Sequence, residues 1–151
     1  MSADLTLNIE RTYAAPPDRV FDAWTSEEVL RRWFHAEREW DTPEASVDLR
    51  VGGEVRVVMR NPATGDEYGG GGRYTEIDPP RRLAFTWLWD NQGTRTLIQL
   101  DFAETDDGGT HVAFTHTGLW DEEAVRDHRE GWTNCFNNLA AALDGAPEPG
   151  R

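Results

Sequence analysis

Hydrophobic and polar residues alternate at the start of the chain, where Leu5, Leu7 and Ile9 are separated by single polar residues. A period of two residues is typical of a β-strand with one buried face. We therefore expect a first strand that ends near Tyr13.

Two short helices are predicted after this strand. Pro17 suits the first position of a helix because its ring fixes φ near the helical value, and Asp18 beside it favours the positive helix end. Thr25 and Glu28 have the spacing of a capping box, which predicts that a second helix begins there. The apolar residues expected on the inner faces of the two helices are Val20, Phe21, Trp24, Val29, Leu30 and Trp33.

The period of two returns at Ala45 and Val47 and reaches Leu49 before Gly52–Gly53, a pair that predicts a tight hairpin. Further alternating runs follow, each separated from the next by a segment rich in turn-forming residues. This pattern predicts an antiparallel meander of about six strands. Its remaining turns are expected at residues 61–66, 78–80, 90–93 and 106–109.

A run of glycines at residues 69–72 lies within one of these strands. Glycine inside a strand marks a bulge or a close approach of another part of the chain, and we favour this interpretation over a binding loop. In the same strand, Tyr74 and Glu76 are expected to share one face, opposite to Arg73, Thr75 and Ile77, and the alternation does not decide which face is buried.

A long amphipathic helix is predicted at the end of the chain, where apolar residues recur at steps of three, four and seven. Asp121 can cap its start, and Gly145 followed by Pro147 can end it. The resulting order, β-α-α-β6-α, predicts an α+β fold of six to seven strands. We expect one domain at residues 1–145 and a disordered tail at residues 146–151. The apolar positions of the helix are Val125, Trp132, Phe136, Leu139 and Leu143.

Composition narrows the classes of function. The 151 residues include 15 basic residues, all of them arginine, and 28 acidic residues, which gives a net charge of −13. Without lysine the chain cannot form a Walker A loop, a Schiff-base site or a Ser-Lys dyad. The negative charge makes nucleic acid and membrane surfaces poor partners.

Cysteine content and hydropathy predict the compartment. Cys135 is the only cysteine, so no internal disulfide is expected, and we interpret it as an inert buried thiol. No signal peptide is recognisable, and no apolar run approaches the ~20 residues needed to span a bilayer. We expect a cytoplasmic protein that is a monomer or a homodimer.

The sequence lacks motifs for metal binding and nucleophilic catalysis. His111 and His116 are expected on opposite faces of one strand because they are five positions apart, and side chains in a strand alternate between faces. No His-x-His or His-Glu-x-x-His spacing occurs, and no serine lies in a Gly-x-Ser-x-Gly elbow. We therefore assign no catalytic residue, no metal site and no cofactor.

Five segments resemble a known family and occur in the expected order along nearly the whole chain. They are AAPPDRVFDAWTSEEVLRRWF at 14–34, DLRVGGEVRVVM at 48–59, EIDPPRRLAFTW at 76–87, GGTHVAFTHTGL at 108–119 and GWTNCFNNLAAAL at 131–143. The chain is similar to the START-like (SRPBCC, helix-grip) superfamily, within it to relatives of the activator of the ninety-kilodalton heat-shock protein's ATPase. The resemblance implies a curved antiparallel sheet that grips the C-terminal helix, with a cavity between them.

The candidate ligand site is an aromatic stripe on one strand. Phe85, Trp87 and Trp89 alternate on one strand face, and in this fold they would form a cavity wall opposite Trp132 and Phe136 of the long helix. The same rings could equally form a solid core, and both interpretations stay open at this point.

A second strand contributes Val112, Phe114 and His116 to the same candidate site. His116 could be a polar anchor or proton donor inside an apolar cavity. Alternatively, it is a buried histidine whose nitrogens are satisfied by neighbouring groups.

Three functions remain open on the sequence. The first is a non-enzymatic protein that binds a small apolar or aromatic molecule, with the ligand unidentified. The second is an enzyme of the cyclase, dehydratase or hydrolase type that uses polar cavity groups such as His116. The third is an accessory protein of a chaperone, which we do not expect because the chain has no room for the additional N-terminal domain of the eukaryotic activator.

Overall fold

The computed structural model describes residues 5–143. In this range seven antiparallel strands and three helices follow one another in the predicted order, one strand, two helices, six strands and a long helix. The strands form a single sheet in the order β1-β7-β6-β5-β4-β3-β2. The strands are β1 (Leu5–Tyr13), β2 (Asp41–Val47), β3 (Glu54–Arg60), β4 (Glu67–Asp78), β5 (Arg82–Trp89), β6 (Thr96–Glu104) and β7 (Thr110–Leu119). The helices are α1 (Pro17–Thr25), α2 (Glu27–Trp33) and α3 (Glu122–Leu143).

The sheet order explains how the helices reach its inner face. Strands β2 to β7 pair with their neighbours in sequence, whereas β1 pairs with β7 at the far edge. Helices α1 and α2 therefore connect the two edge strands. They contact α3, which lies along β1, so all three helices share one core with the inner face of the sheet.

The helix starts follow local hydrogen bonds, and one predicted cap is wrong. Asp121 caps α3 as predicted, since its Oδ1 accepts the amide of Ala124 at 2.7 Å. Helix α2 is capped by Ser26 and not by Thr25, because the Thr25 hydroxyl donates to Phe21 O in the last turn of α1. The predicted end of α3 at Gly145 and the tail at residues 146–151 lie outside the described residues.

The connection between β2 and β3 is longer than the predicted tight hairpin. Strand β2 ends at Val47, and Leu49, which we expected in the strand, is 44% exposed in the loop at residues 48–53. The loop closes through a hydrogen bond from the Gly53 amide to Arg50 O. A Cβ on Gly53 would lie 2.1 Å from Asp48 O, so only glycine fits at the point where the loop closes.

A β-bulge makes the predicted shared face of Tyr74 and Glu76 wrong. The register of β4 against β5 shifts between these residues, so that Tyr74 pairs with Phe85 and Glu76 with Ala84. Tyr74 is consequently 2% exposed, whereas Glu76 is exposed. The extra residue turns one side chain to the core and the other to solvent.

The glycine run of β4 provides the close approach that the sequence indicated. A Cβ on Gly70 would lie 2.8 Å from Cζ2 of Trp87, and one on Gly72 would lie 1.9 Å from Thr86 O. The indole of Trp87, on the neighbouring strand, therefore occupies the space that a side chain on β4 would need.

We expect Gly70→Ala to destabilise the protein by about 1–3 kcal/mol, because the new methyl group would overlap a fully buried indole. Gly93→Ala is the matched control, since a Cβ there has nothing within 4 Å. Urea unfolding followed by circular dichroism gives both values. Equal free energies of unfolding for the two variants would show that Trp87 moves freely, contrary to the tight packing inferred here.

Candidate functional site

The predicted site residues lie together in the interior between the sheet and the helices. Trp89, at the end of β5, is partly buried and reaches the surface. Among the others, the rings of Phe114 and Trp132 are 4.8 Å apart, and those of Phe114 and Phe136 are 5.4 Å apart. The remaining seven residues, each at most 5% exposed, are Phe85, Trp87, Val112, Phe114, His116, Trp132 and Phe136.

Two rings that were not assigned to the site pack against the predicted walls. Phe34 stacks on Trp87 with 5.6 Å between ring centroids and meets the edge of Trp132 at 5.3 Å. Trp24 stacks on Trp132 with 5.9 Å between ring centroids. Phe34 therefore lies between Trp87 and Trp132. Its side chain occupies the space where the sequence suggested a cavity between these two rings.

His116 has both ring nitrogens in hydrogen bonds. Trp132 Nε1 can only donate, so His116 Nδ1 accepts at 3.2 Å and the proton lies on Nε2. His116 Nε2 then donates to Thr96 Oγ1 at 2.7 Å, and the Thr96 hydroxyl donates to Trp87 O at 3.0 Å. Burial, with a smaller contribution from His128, lowers the pKa of His116 to about 3. His116 is thus a neutral, fully bonded histidine within the core.

A cleft of about 610 Å³ opens beside the N-terminal half of α3, next to this core. Trp89 and Trp132 are the predicted site residues that line it. The other walls come from the segment after α2, the ends of β3 and β4, the loop after β5 and the start of α3. These further lining residues are Phe34, Ala36, Trp40, Met59, Tyr68, Asn91, Gln92, Trp120, Asp127, His128, Gly131 and Cys135.

Aromatic side chains dominate the outer part of the cleft. Trp40 and Tyr68 stack nearly parallel, with an interplanar angle of 7° and 5.3 Å between centroids. Trp120 meets the ring of His128 edge-on at 5.4 Å. These four residues lie outside the periodic hydrophobic pattern. The sequence signal that could have identified them was the presence of an aromatic residue at the end of an element or in a polar segment.

His128 and Cys135 are the cleft residues whose titration the surroundings change most clearly. His128 Nδ1 donates to Ala124 O at 2.7 Å and its Nε2 accepts from Trp89 Nε1 at 3.0 Å. Burial lowers the pKa of His128, so the ring is neutral at pH 7. Burial also raises the pKa of the Cys135 thiol to about 12, and the thiol donates to His35 O. Neither residue offers a free base or a thiolate.

The described part of the chain has neither a cluster of metal-binding side chains nor a membrane-spanning helix. Residues 5–143 contain no group of three or more His, Cys, Asp or Glu side chains positioned to hold a metal ion. None of the helices in the same range is both long and apolar enough to cross a membrane.

Comparisons with a family model and with solved structures point to the same protein family. The family model described as Activator of Hsp90 ATPase homolog 1-like protein matches residues 14–144. The crystal structure of the AHSA1 protein from Silicibacter pomeroyi is 30% identical in sequence, with a TM-score of 0.80 over 94% of this chain and 98% of that one. A comparison with curated proteins gave no significant match.

Other solved structures support the same fold. A protein from Chromobacterium violaceum is 25% identical, with a TM-score of 0.84 over 92% of this chain and 97% of its own. A protein from Rhodobacter sphaeroides is 29% identical, with a TM-score of 0.79 over 93% of this chain and 92% of its own. The predicted helix-grip fold, a curved antiparallel sheet around a long C-terminal helix, is confirmed.

The low pKa of His116 predicts a loss of stability in acid. The unfolded chain binds a proton at a pKa near 6.5 and the folded chain only near 3, so stability falls as the pH drops through this window, by about 2 kcal/mol at pH 5. His116→Gln should be less stable at pH 7 but should lose less stability between pH 7 and pH 5. The control His111→Gln removes a half-exposed histidine of the same strand and should keep most of the decline. Urea unfolding at both pH values measures the difference, and an unchanged decline in His116→Gln would contradict the assignment.

Proposed function

Because the chain belongs to the family of Activator of Hsp90 ATPase homolog 1-like proteins, whose fold suggests a ligand-binding or accessory role, we propose that it binds a small molecule with an apolar or aromatic body. The ligand would occupy the cleft beside α3. Trp89 and Trp132, two of the ligand-binding residues inferred from the sequence, would contact it there.

The cleft itself is the observation that carries this proposal. Its volume of about 610 Å³ suits a small organic molecule. Aromatic rings belong to half of its lining residues, and Asn91, Gln92 and Asp127 add a few polar groups. Indole and phenol rings bury large apolar areas on contact with a ligand and prefer offset or edge-on packing against other rings. A flat aromatic body would therefore find several ring faces in one cleft.

Binding is better supported than catalysis by the polar groups within reach. His128 uses both ring nitrogens in hydrogen bonds to Ala124 and Trp89. The Cys135 thiol is buried and protonated at neutral pH. His116, the polar group that an enzyme of the cyclase, dehydratase or hydrolase type was expected to use, is bonded to Trp132 and Thr96 within the core. A general base would have to break one of these bonds before it could act.

An accessory role toward a chaperone is the alternative that the family's description suggests. A contiguous exposed apolar patch of roughly several hundred Å² would be positive evidence for such a docking site. Among residues 5–143, the large hydrophobic side chains that are clearly exposed are Leu49, Val51 and Tyr68, and Tyr68 belongs to the cleft. Two neighbouring side chains in one loop are a small surface for a protein partner.

We expect addition of the protein to Hsp90 to leave the rate of ATP hydrolysis nearly unchanged, because the exposed apolar surface is small. A coupled ATPase assay at increasing protein concentration measures this rate. Saturable stimulation by several-fold would favour the accessory role over ligand binding as the principal function.

Substitution of Gly131 tests whether the cleft binds ligands. Gly131→Leu should place a side chain in the cleft and weaken binding of an apolar environment-sensitive dye at least tenfold, or by about 1.4 kcal/mol. Gly131→Ala is the matched control, because its methyl group would lie at an ordinary 3.5 Å from Ala36 Cβ. Both changes also remove a helix-interior glycine, so neither should unfold the protein.

Quenching of tryptophan fluorescence by the dye measures the affinity, since four tryptophans line the cleft. The wild type and Gly131→Ala should bind about one equivalent of dye. If Gly131→Leu binds the dye as tightly as the wild type does, the ligand site is not in this cleft.

A further inference from the structure

Among residues 5–143, the lining of the cleft contains a negative charge and no lysine or arginine. Asp127, on α3, is exposed and is the charged residue that lines the cleft within residues 5–143. None of the ion pairs found among residues 5–143 involves Asp127. The chain has no lysine that could neutralise it.

His128 does not supply a positive charge either. Its Nδ1 donates to Ala124 O and its Nε2 accepts from Trp89, so a second proton on Nε2 would break the bond to the indole. An anionic ligand would therefore find no counter-charge on the cleft wall, and the net charge of −13 would repel it.

The aromatic walls favour positive charge. The face of an indole or phenol ring carries negative electrostatic potential, and a cation within about 6 Å of a ring centroid is attracted to it. Trp40, Tyr68, Trp89, Trp120 and Trp132 all contribute to the cleft. Asp127 on the same wall adds a carboxylate that can accept hydrogen bonds from an ammonium group.

We propose that the cleft selects organic cations, that is, ligands with an apolar or aromatic body and a protonated amine. This inference rests on the proposed function, because it names the ligand class of the same cleft. The ring faces hold the body of the ligand, and Asp127 receives the ammonium group at the rim.

Three probes that share one ring system test this selectivity. Naphthylmethylamine is cationic at pH 7, naphthylmethanol is neutral and naphthoic acid is anionic, and isothermal titration calorimetry measures the affinity of each. We expect the amine to bind roughly five- to tenfold more tightly than the alcohol, and the acid to bind most weakly. An acid that binds as tightly as the amine would overturn the inference.

Asp127→Asn should lower the affinity for the amine to near that for the alcohol and leave the alcohol unchanged. Glu104→Gln is the matched control. It removes the same charge from an exposed residue at the end of β6 that does not line the cleft. An equal loss in both variants would assign the preference to net charge and overturn the role of Asp127.

The outcomes separate this inference from the proposed function. If the alcohol binds and the amine binds no more tightly, the selectivity is wrong and the ligand-binding function stands. If none of the three probes binds to the wild type, the ligand-binding function in this cleft is wrong as well.

Discussion

The layer of aromatic rings between the sheet and α3 is the constraint on which the rest of the structure depends. Phe34 packs against both Trp87 and Trp132, and Trp24 stacks on Trp132. Such large rings need space and hydrogen-bond partners. The space comes from Gly70, beside the Trp87 indole. Some indole N–H groups donate hydrogen bonds, whereas Nε1 of Trp24 and of Trp87 has no acceptor within residues 5–143. Each unsatisfied donor lowers the stability of the fold by roughly 1–3 kcal/mol.

The same ring layer determines where a ligand can bind. A cavity between sheet and helix was one interpretation of the aromatic stripe, but Phe34 occupies the space between Trp87 and Trp132. The open space lies instead at the end of this layer, where Trp89 and Trp132 continue the core into the cleft. A ligand there would extend the aromatic packing without displacing any core side chain.

Periodicity in the sequence was sufficient to predict the strands and helices. The predictions that were wrong concern a helix cap and the facing of two side chains, which depend on local hydrogen bonds and strand register. The strands and α3 follow from periods of two and 3.6 residues. The shift of the helix cap to Ser26 and the bulge after Tyr74 depend on single hydrogen bonds and on register, which no period encodes. In the site, Trp89 and Trp132 belong to periodic faces. Trp40 and Tyr68 do not, and they meet only because the starts of β2 and β4 both lie level with the end of β3, the strand between them.

Charge and aromatic surface are separated between the two faces of the sheet, and the cleft is where this separation reaches solvent. On the outer face, Arg56 makes two hydrogen bonds to Asp90, Arg60 pairs with Asp41, and Arg82 bridges two carboxylates. Among residues 5–143 no arginine lines the cleft, whose wall carries aromatic rings and Asp127. Trp132 belongs to both the core and the cleft, because its indole N–H donates to His116 in the core while its ring lines the cleft. Any ligand that packs on Trp132 therefore stabilises the same side chain that holds α3 against the sheet, so binding and folding stability are linked.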